Sequence, residues 1–182
     1  RSIAFFMGLR PDLQKIFESQ KKGLFANKTD IYDKLSDYFV SDSNTRRNYS
    51  GRIFEKILQK LCNIFEIPCS PNDKSLGVEM DLLFPELKVI ITQKTSARER
   101  YTQILREISI AQKNDYKIYF LCLGNSETEE LKSYAKQYSN FYIITRKDEL
   151  KREKSLTKKY LTLDELFEEM IEKWNRINRK VA

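Results

Sequence analysis

Asp81 interrupts the apolar run "VEMDLLF", and Lys94 follows directly on the β-branched run "LKVIITQ". Both runs have the character of strands, and Pro85-Glu86 between them marks a turn. A hairpin turned there brings Asp81 and Lys94 to the same end or edge of a sheet. An aspartate and a lysine that close are parts of a magnesium-dependent phosphodiesterase. The carboxylate binds a metal ion that takes oxygen ligands. The ion acidifies its water and clamps the scissile phosphate, and the ammonium orients the attacking water or balances charge in the transition state. The same two residues also make an ordinary cross-strand ion pair, and at this level both readings stand.

The next segment, "ARERYTQILREISIAQKN", has the periodicity of a long helix. Arg100, Ile104, Glu107 and Ala111 fall along one stripe of it, so Glu107 sits two turns in beside apolar neighbours. A glutamate there, on a helix packed against the sheet, completes a metal site begun by Asp81. Its other reading is an exposed side chain paired with Gln103.

These residues need a scaffold, and the chain supplies one. Residues 1 to about 70 read as helical, closing with "SGRIFEKILQKLCNIFEI", in which Ile53, Phe54, Ile57, Leu58, Leu61, Ile64 and Phe65 recur at helical spacing. "PCSPNDKSLG" breaks that pattern. Beyond it come the hairpin, the long helix, the fully apolar strand "KIYFLCLG", the helix "SETEELKSYAKQYS", the strand "FYIITR" and the helix "TLDELFEEMIEKWNRINRK". Thr162 and Glu165 stand at capping-box spacing at the start of the last helix. "RKDELKREKSLTKK" reads as a charged loop. The pattern predicts an α/β fold: a mixed central sheet flanked by helices, with one antiparallel hairpin, parallel strands beyond it and an N-terminal helical segment. Residues 1–70 form that segment and 71–182 the core, as one compact domain overall.

Composition narrows the chemistry. The 182 residues carry 33 Lys+Arg against 26 Asp+Glu, a net charge of +7, with a sequence pI near 9.2 and a mean hydropathy of −0.58. The balance favours a polyanionic partner, nucleic acid ahead of anionic lipid, although surface charge also serves solubility. No histidine occurs, which removes every scheme with a histidine base or a Cys-His nucleophile. Cys62, Cys69 and Cys122 form no CxxC pair, so a structural zinc site is not expected. An odd cysteine count without a secretory signal points to reduced thiols and a cytoplasmic protein. No glycine-rich phosphate cradle is present, and no apolar run reaches the ~20 residues of a membrane span. The first residue is not methionine, which raises the expectation of a catalytic module from a two-domain enzyme.

The stretch "KTSARERYTQILREI" resembles the signature of the CCGG-type restriction endonucleases (the EcoRII, PspGI and NgoMIV group), a branch of the PD-(D/E)XK nucleases. In that branch the second acidic residue has left its usual place two residues before the lysine for the following helix. Here Thr92 occupies the usual place, and Glu107 lies thirteen residues after Lys94. The resemblance covers Val78 to Trp174 in element order and Lys94 to Glu107 in residue detail. It implies a PD-(D/E)XK core with Asp81 and Glu107 as Mg²⁺ ligands and Lys94 as the catalytic lysine. A further glutamate comes from the helix before the hairpin, with Glu55 in "GRIFEKIL" the first candidate and Glu66 the second. Met80 stands where the family's aspartate commonly follows a proline, which leaves Glu79 as an alternative ligand, although strand alternation points it to the opposite face.

Arg98, Glu99 and Arg100 then acquire a purpose. Arginine suits bidentate hydrogen bonding to guanine O6 and N7, and glutamate accepts from cytosine N4. The family reads CC/GG half-sites with this cluster, which implies a CCGG, CCNGG or CCWGG core. Glu99 also matches a capping box with Ser96, and the arginines also suit phosphate contacts. The function expected is a Mg²⁺-dependent type II restriction endonuclease. It would cut double-stranded DNA at a short palindrome, leave 5′-phosphate ends, work as a homodimer and share its system with a cognate DNA methyltransferase. The alternatives are another nuclease on this fold (a repair nuclease, a junction resolvase or a modification-dependent restriction subunit) and a non-catalytic DNA-binding module.

Overall fold

A computed structural model of the chain describes residues 55, 56, 58–94, 101–122, 129–145 and 159–179. The helices expected within 1–54, the Arg98-Glu99-Arg100 cluster and most of the charged loop lie outside these residues. Residues 55, 56 and 58–64 are helical (α1). Then come β1 (Ser70–Asp73), β2 (Met80–Phe84), β3 (Val89–Lys94), α2 (Tyr101–Lys113), β4 (Lys117–Cys122), α3 (Glu129–Gln137), β5 (Phe141–Ile144), β6 (Tyr160–Leu161) and α4 (Leu163–Arg179). The six strands make one sheet in chain order. Pairing is antiparallel from β1 to β3 and parallel from β3 to β6.

Strand alternation divides the interior into two layers. Leu83, Ile90, Ile118, Phe120 and Phe141 face α2 and α3, meeting Ile104, Ile108, Ala111 and Leu131. Leu82, Val89, Ile91, Tyr119 and Leu121 face the other way, onto Leu58 and Leu61 of α1 and Leu166, Phe167 and Met170 of α4. A sheet covered on both faces requires strands that are apolar on both sides, and Ile118, Tyr119, Phe120 and Leu121 of β4 are all buried. Two left-handed residues set the ends of the site's elements. Lys88 (φ 51°) closes the β2–β3 turn, its N–H donating to the Pro85 carbonyl at 3.2 Å, and Asp115 (φ 60°) ends α2, where the Tyr116 N–H donates to the Ala111 carbonyl at 2.8 Å.

Two strands depart from the sequence expectation. β1 lies in the stretch read as a break, and β6 falls between the charged loop and the last helix, where no element was expected. Both are edges of the sheet. An edge strand tolerates a proline such as Pro71, because half of its hydrogen-bonding groups need no ladder partner. No helix among the described residues is long and apolar enough to cross a membrane. Cys62 and Cys69 are free thiols, with Cys62 in the core.

The capping box that opens α4 is formed. The Thr162 N–H donates to Glu165 Oε2 at 2.9 Å, and the Glu165 N–H donates to Thr162 Oγ1 at 3.2 Å. Thr162→Ala leaves a helix-end N–H without its acceptor, and is expected to lower stability by about 1 kcal/mol. A denaturant melt checks this; an unchanged midpoint would show that the cap contributes nothing to anchoring α4.

Candidate active site

The hairpin register explains how Asp81, Thr92 and Lys94 come together. Leu83 opposes Ile90, and both point into the layer that α2 covers. Two residues further along each strand, Asp81 and Thr92 face the same way, and Lys94 follows two beyond Thr92. The Asp81 carboxylate binds across to β3: its Oδ2 accepts from the Gln93 N–H at 2.7 Å and from Lys94 Nζ at 2.9 Å, with Thr92 Oγ1 3.2 Å away. These contacts all fall on Oδ2.

Helix α2 brings the second carboxylate. Its buried residues are Ile104, Glu107, Ile108 and Ala111, an i, i+3, i+4, i+7 stripe in which Glu107 takes an apolar position. Glu107 Oε2 lies 2.7 Å from Thr92 Oγ1, Oε1 accepts from Gln103 Nε2 at 2.7 Å, and Lys94 Nζ stands 3.9 Å from Oε1. The side chains of Glu107 and Lys94 are 3% and 4% exposed, whereas Asp81 is 25% exposed. The cluster therefore opens to solvent on its Asp81 side. Burial pushes the Glu107 carboxyl above the ordinary glutamate range, and the like charge of Asp81 adds to this. The Lys94 ammonium and the hydrogen bonds from Thr92 and Gln103 act in the opposite sense.

With both acids ionised, two carboxylates and one ammonium would carry a net negative charge at a largely buried place, which a cation could offset. Among the described residues no group of three or more His, Cys, Asp or Glu gathers into a metal cluster. Magnesium does not require one: it is held by one or two carboxylates, with water and phosphate oxygens completing its shell. The all-oxygen donor pair of Asp81 and Glu107 fits that ion and does not fit zinc.

The remaining candidates lie elsewhere. Glu79 forms an exposed ion pair with Lys74 at 3.0 Å, and Glu66 is exposed at the end of α1. Glu55 accepts from Gln59 Nε2 at 2.9 Å and from Asn72 Nδ2 at 3.1 Å. The neighbours of Asn72, Pro71 and Asp73, pair with Leu82 and Met80 on either side of Asp81. Glu55 thus reaches the strand beside Asp81, but no hydrogen bond or ion pair among the described residues joins it to the cluster. In the sequence Thr92 stands out only as a residue where an acid is usual. Its place beside Asp81 follows from alternation, since it shares a face with Lys94 and lies opposite Asp81.

No protein-family model and no curated protein matches the chain. Solved structures do. Metal-depleted Ecl18kI in complex with uncleaved DNA is 21% identical over 96% of this chain and 66% of its own, with a TM-score of 0.56. The metal-depleted Ecl18kI complex with uncleaved, modified DNA is 22% identical over 85% of this chain and 58% of its own, also at 0.56. A complex of the restriction endonuclease PspGI with substrate DNA is 18% identical over 90% of this chain and 74% of its own, at 0.54. The chain thus spans about three-fifths to two-thirds of the length of the Ecl18kI chains. The likeness is one of fold: a mixed six-stranded sheet flanked by helices, an α/β core of restriction-endonuclease-like fold.

Proposed function

We propose that the chain is a Mg²⁺-dependent type II restriction endonuclease that hydrolyses double-stranded DNA at a short palindrome containing CC/GG. The observation that carries this reading is the Asp81–Lys94–Glu107 cluster, with its excess negative charge and its one open side. Its setting in a core shared with proteins solved on DNA supports the choice of substrate, as does the net charge of +7.

Asp81 and Glu107 would hold the ion. When bound, magnesium supplies Lewis-acid polarisation of the scissile phosphate and acidifies a water molecule. Lys94 orients that water for in-line attack and balances charge accumulating on the phosphate oxygens. The bond from phosphorus to the 3′ oxygen breaks, leaving a 5′-phosphate and a 3′-hydroxyl. Glu55, which accepts a hydrogen bond from Asn72 on the strand next to Asp81, is the further glutamate assigned to the site. Arg98, Glu99 and Arg100 precede α2 directly in the chain and are assigned the reading of G·C pairs. Cutting both strands takes two such sites, so a homodimer on a two-fold symmetric sequence is the assembly proposed, with a cognate methyltransferase protecting host DNA.

Incubating plasmid DNA with the protein and Mg²⁺ and sequencing the ends tests this reading. Discrete fragments sharing a CC/GG-containing terminus are expected. Random ends, or cuts confined to branched DNA, would replace it with a repair nuclease or a resolvase. DNA binding with no cleavage in Mg²⁺ or Mn²⁺ would leave a binding module. Arg98→Ala and Arg100→Ala are expected to relax sequence preference, each lost guanine contact weakening discrimination by about 1–3 kcal/mol. A shallower salt dependence with preference intact would reassign them to phosphate.

A further inference from the structure

Glu107 is held from both sides by neutral donors. Thr92 is fully buried on β3, and its hydroxyl has one proton to give, with Glu107 Oε2 at 2.7 Å and Asp81 Oδ2 at 3.2 Å. The shorter contact takes it. Gln103, one turn before Glu107 on α2, is exposed and donates to the other oxygen at 2.7 Å. A glutamate has three rotatable side-chain torsions, and a carboxylate that must meet an ion alongside Asp81 gains from having its plane set beforehand. Lys94, at 3.9 Å, is too far from Glu107 to set it.

We propose that Thr92 and Gln103 are positioning residues that clamp the two oxygens of Glu107 and so preorganise the metal site, with Thr92 also fixing the spacing between Glu107 and Asp81. The proposal rests on the metal-site reading above and adds two residues that touch neither substrate nor reacting atoms. Thr92 occupies the place where an acid is usual on this fold. The hydroxyl keeps that place polar without adding a third negative charge, and it passes the ligand role to Glu107 on the helix.

The probe is Mn²⁺, followed by electron paramagnetic resonance on the full chain bound to duplex DNA, alongside the thermal midpoint of each variant. Thr92→Val keeps the shape and removes the hydroxyl, and is expected to weaken Mn²⁺ binding about 10–100-fold. Thr92→Ser, which keeps the hydroxyl, should return affinity to within roughly threefold of the parent. Gln103→Leu lies on an exposed face and cannot unfold the core; it should weaken Mn²⁺ about tenfold at an unchanged thermal midpoint. If Thr92→Val does not fold, Gln103→Leu decides alone. Parental Mn²⁺ affinity in Gln103→Leu, or in folded Thr92→Val, overturns the clamp. A parent chain that binds no Mn²⁺ removes the metal site itself, and the clamp with it, which is a different failure.

Discussion

Lys94→Ala is expected to lower DNA cleavage by about 10³-fold while Mn²⁺ and duplex DNA still bind. The reasoning is electrostatic. In the described cluster the Lys94 ammonium lies 2.9 Å from Asp81 Oδ2 and 3.9 Å from Glu107 Oε1, with its side chain 4% exposed. Without the ammonium, two carboxylates face each other uncompensated, and a divalent cation gains affinity from the loss of a like charge. The metal-free variant should be destabilised, toward the low end of the roughly 3–5 kcal/mol lost when one partner of a buried pair is removed, because Asp81 is partly solvated. Mg²⁺ should restore much of that loss. Asp81→Asn inverts the pattern: it removes a ligand, so cleavage and Mn²⁺ binding should fall together. Rates from a plasmid-nicking assay, Mn²⁺ binding and thermal midpoints with and without Mg²⁺ separate these outcomes. Full cleavage by Lys94→Ala would reduce the Asp81–Lys94 contact to an ordinary cross-strand ion pair.

What made that pair legible was the hairpin. Two apolar runs flanking Pro85-Glu86 admit few registers, and alternation then fixes which residues share a face; Asp81 and Lys94 follow from counting. The parallel part was legible because β4 is apolar on both sides, which only a central strand requires. The edges were not. β1 is four residues long and carries Pro71, and β6 has two residues, so both owe their strand character to a neighbour and not to local propensity. The burial of Glu107 was half-legible: helical spacing put it beside Ile104 and Ala111, but an amphipathic stripe has a boundary, and a glutamate at that boundary reads equally well as solvated. The hydrogen bonds from Gln103 on one side and Thr92 on the other are tertiary facts, and they let a carboxylate occupy a position that periodicity assigns to an apolar side chain. The exposed reading of Glu107 fails, since its side chain is 3% exposed, while its pairing with Gln103 holds through one of the carboxylate's two oxygens.

Glu107→Gln should abolish metal-dependent cleavage and, at neutral pH without metal, make the chain more stable than its parent. Burial raises the Glu107 carboxyl above its ordinary range, so the folded chain holds this proton more tightly than the unfolded chain does. A group raised in this way contributes fully to stability below its unfolded pKa, and that contribution is lost as pH rises through the folded value. The metal-free parent is therefore expected to lose stability from this group as pH climbs from the ordinary glutamate range toward neutrality. Glutamine is close in shape, can accept from Thr92 or Gln103 through its carbonyl, and carries no charge to desolvate. It should remove this part of the pH slope and raise the thermal midpoint at pH values where the parent's Glu107 is ionised. Thermal melts in EDTA across the pH range measure both quantities, and Mn²⁺ binding to the same samples should be lost. A glutamine variant less stable than the parent at neutral pH, with the slope retained, would mean that Lys94 already compensates the Glu107 charge in full. The site would then have no surplus charge with which to attract an ion, because a carboxylate kept at a cost in the empty protein is what a cation would release on binding.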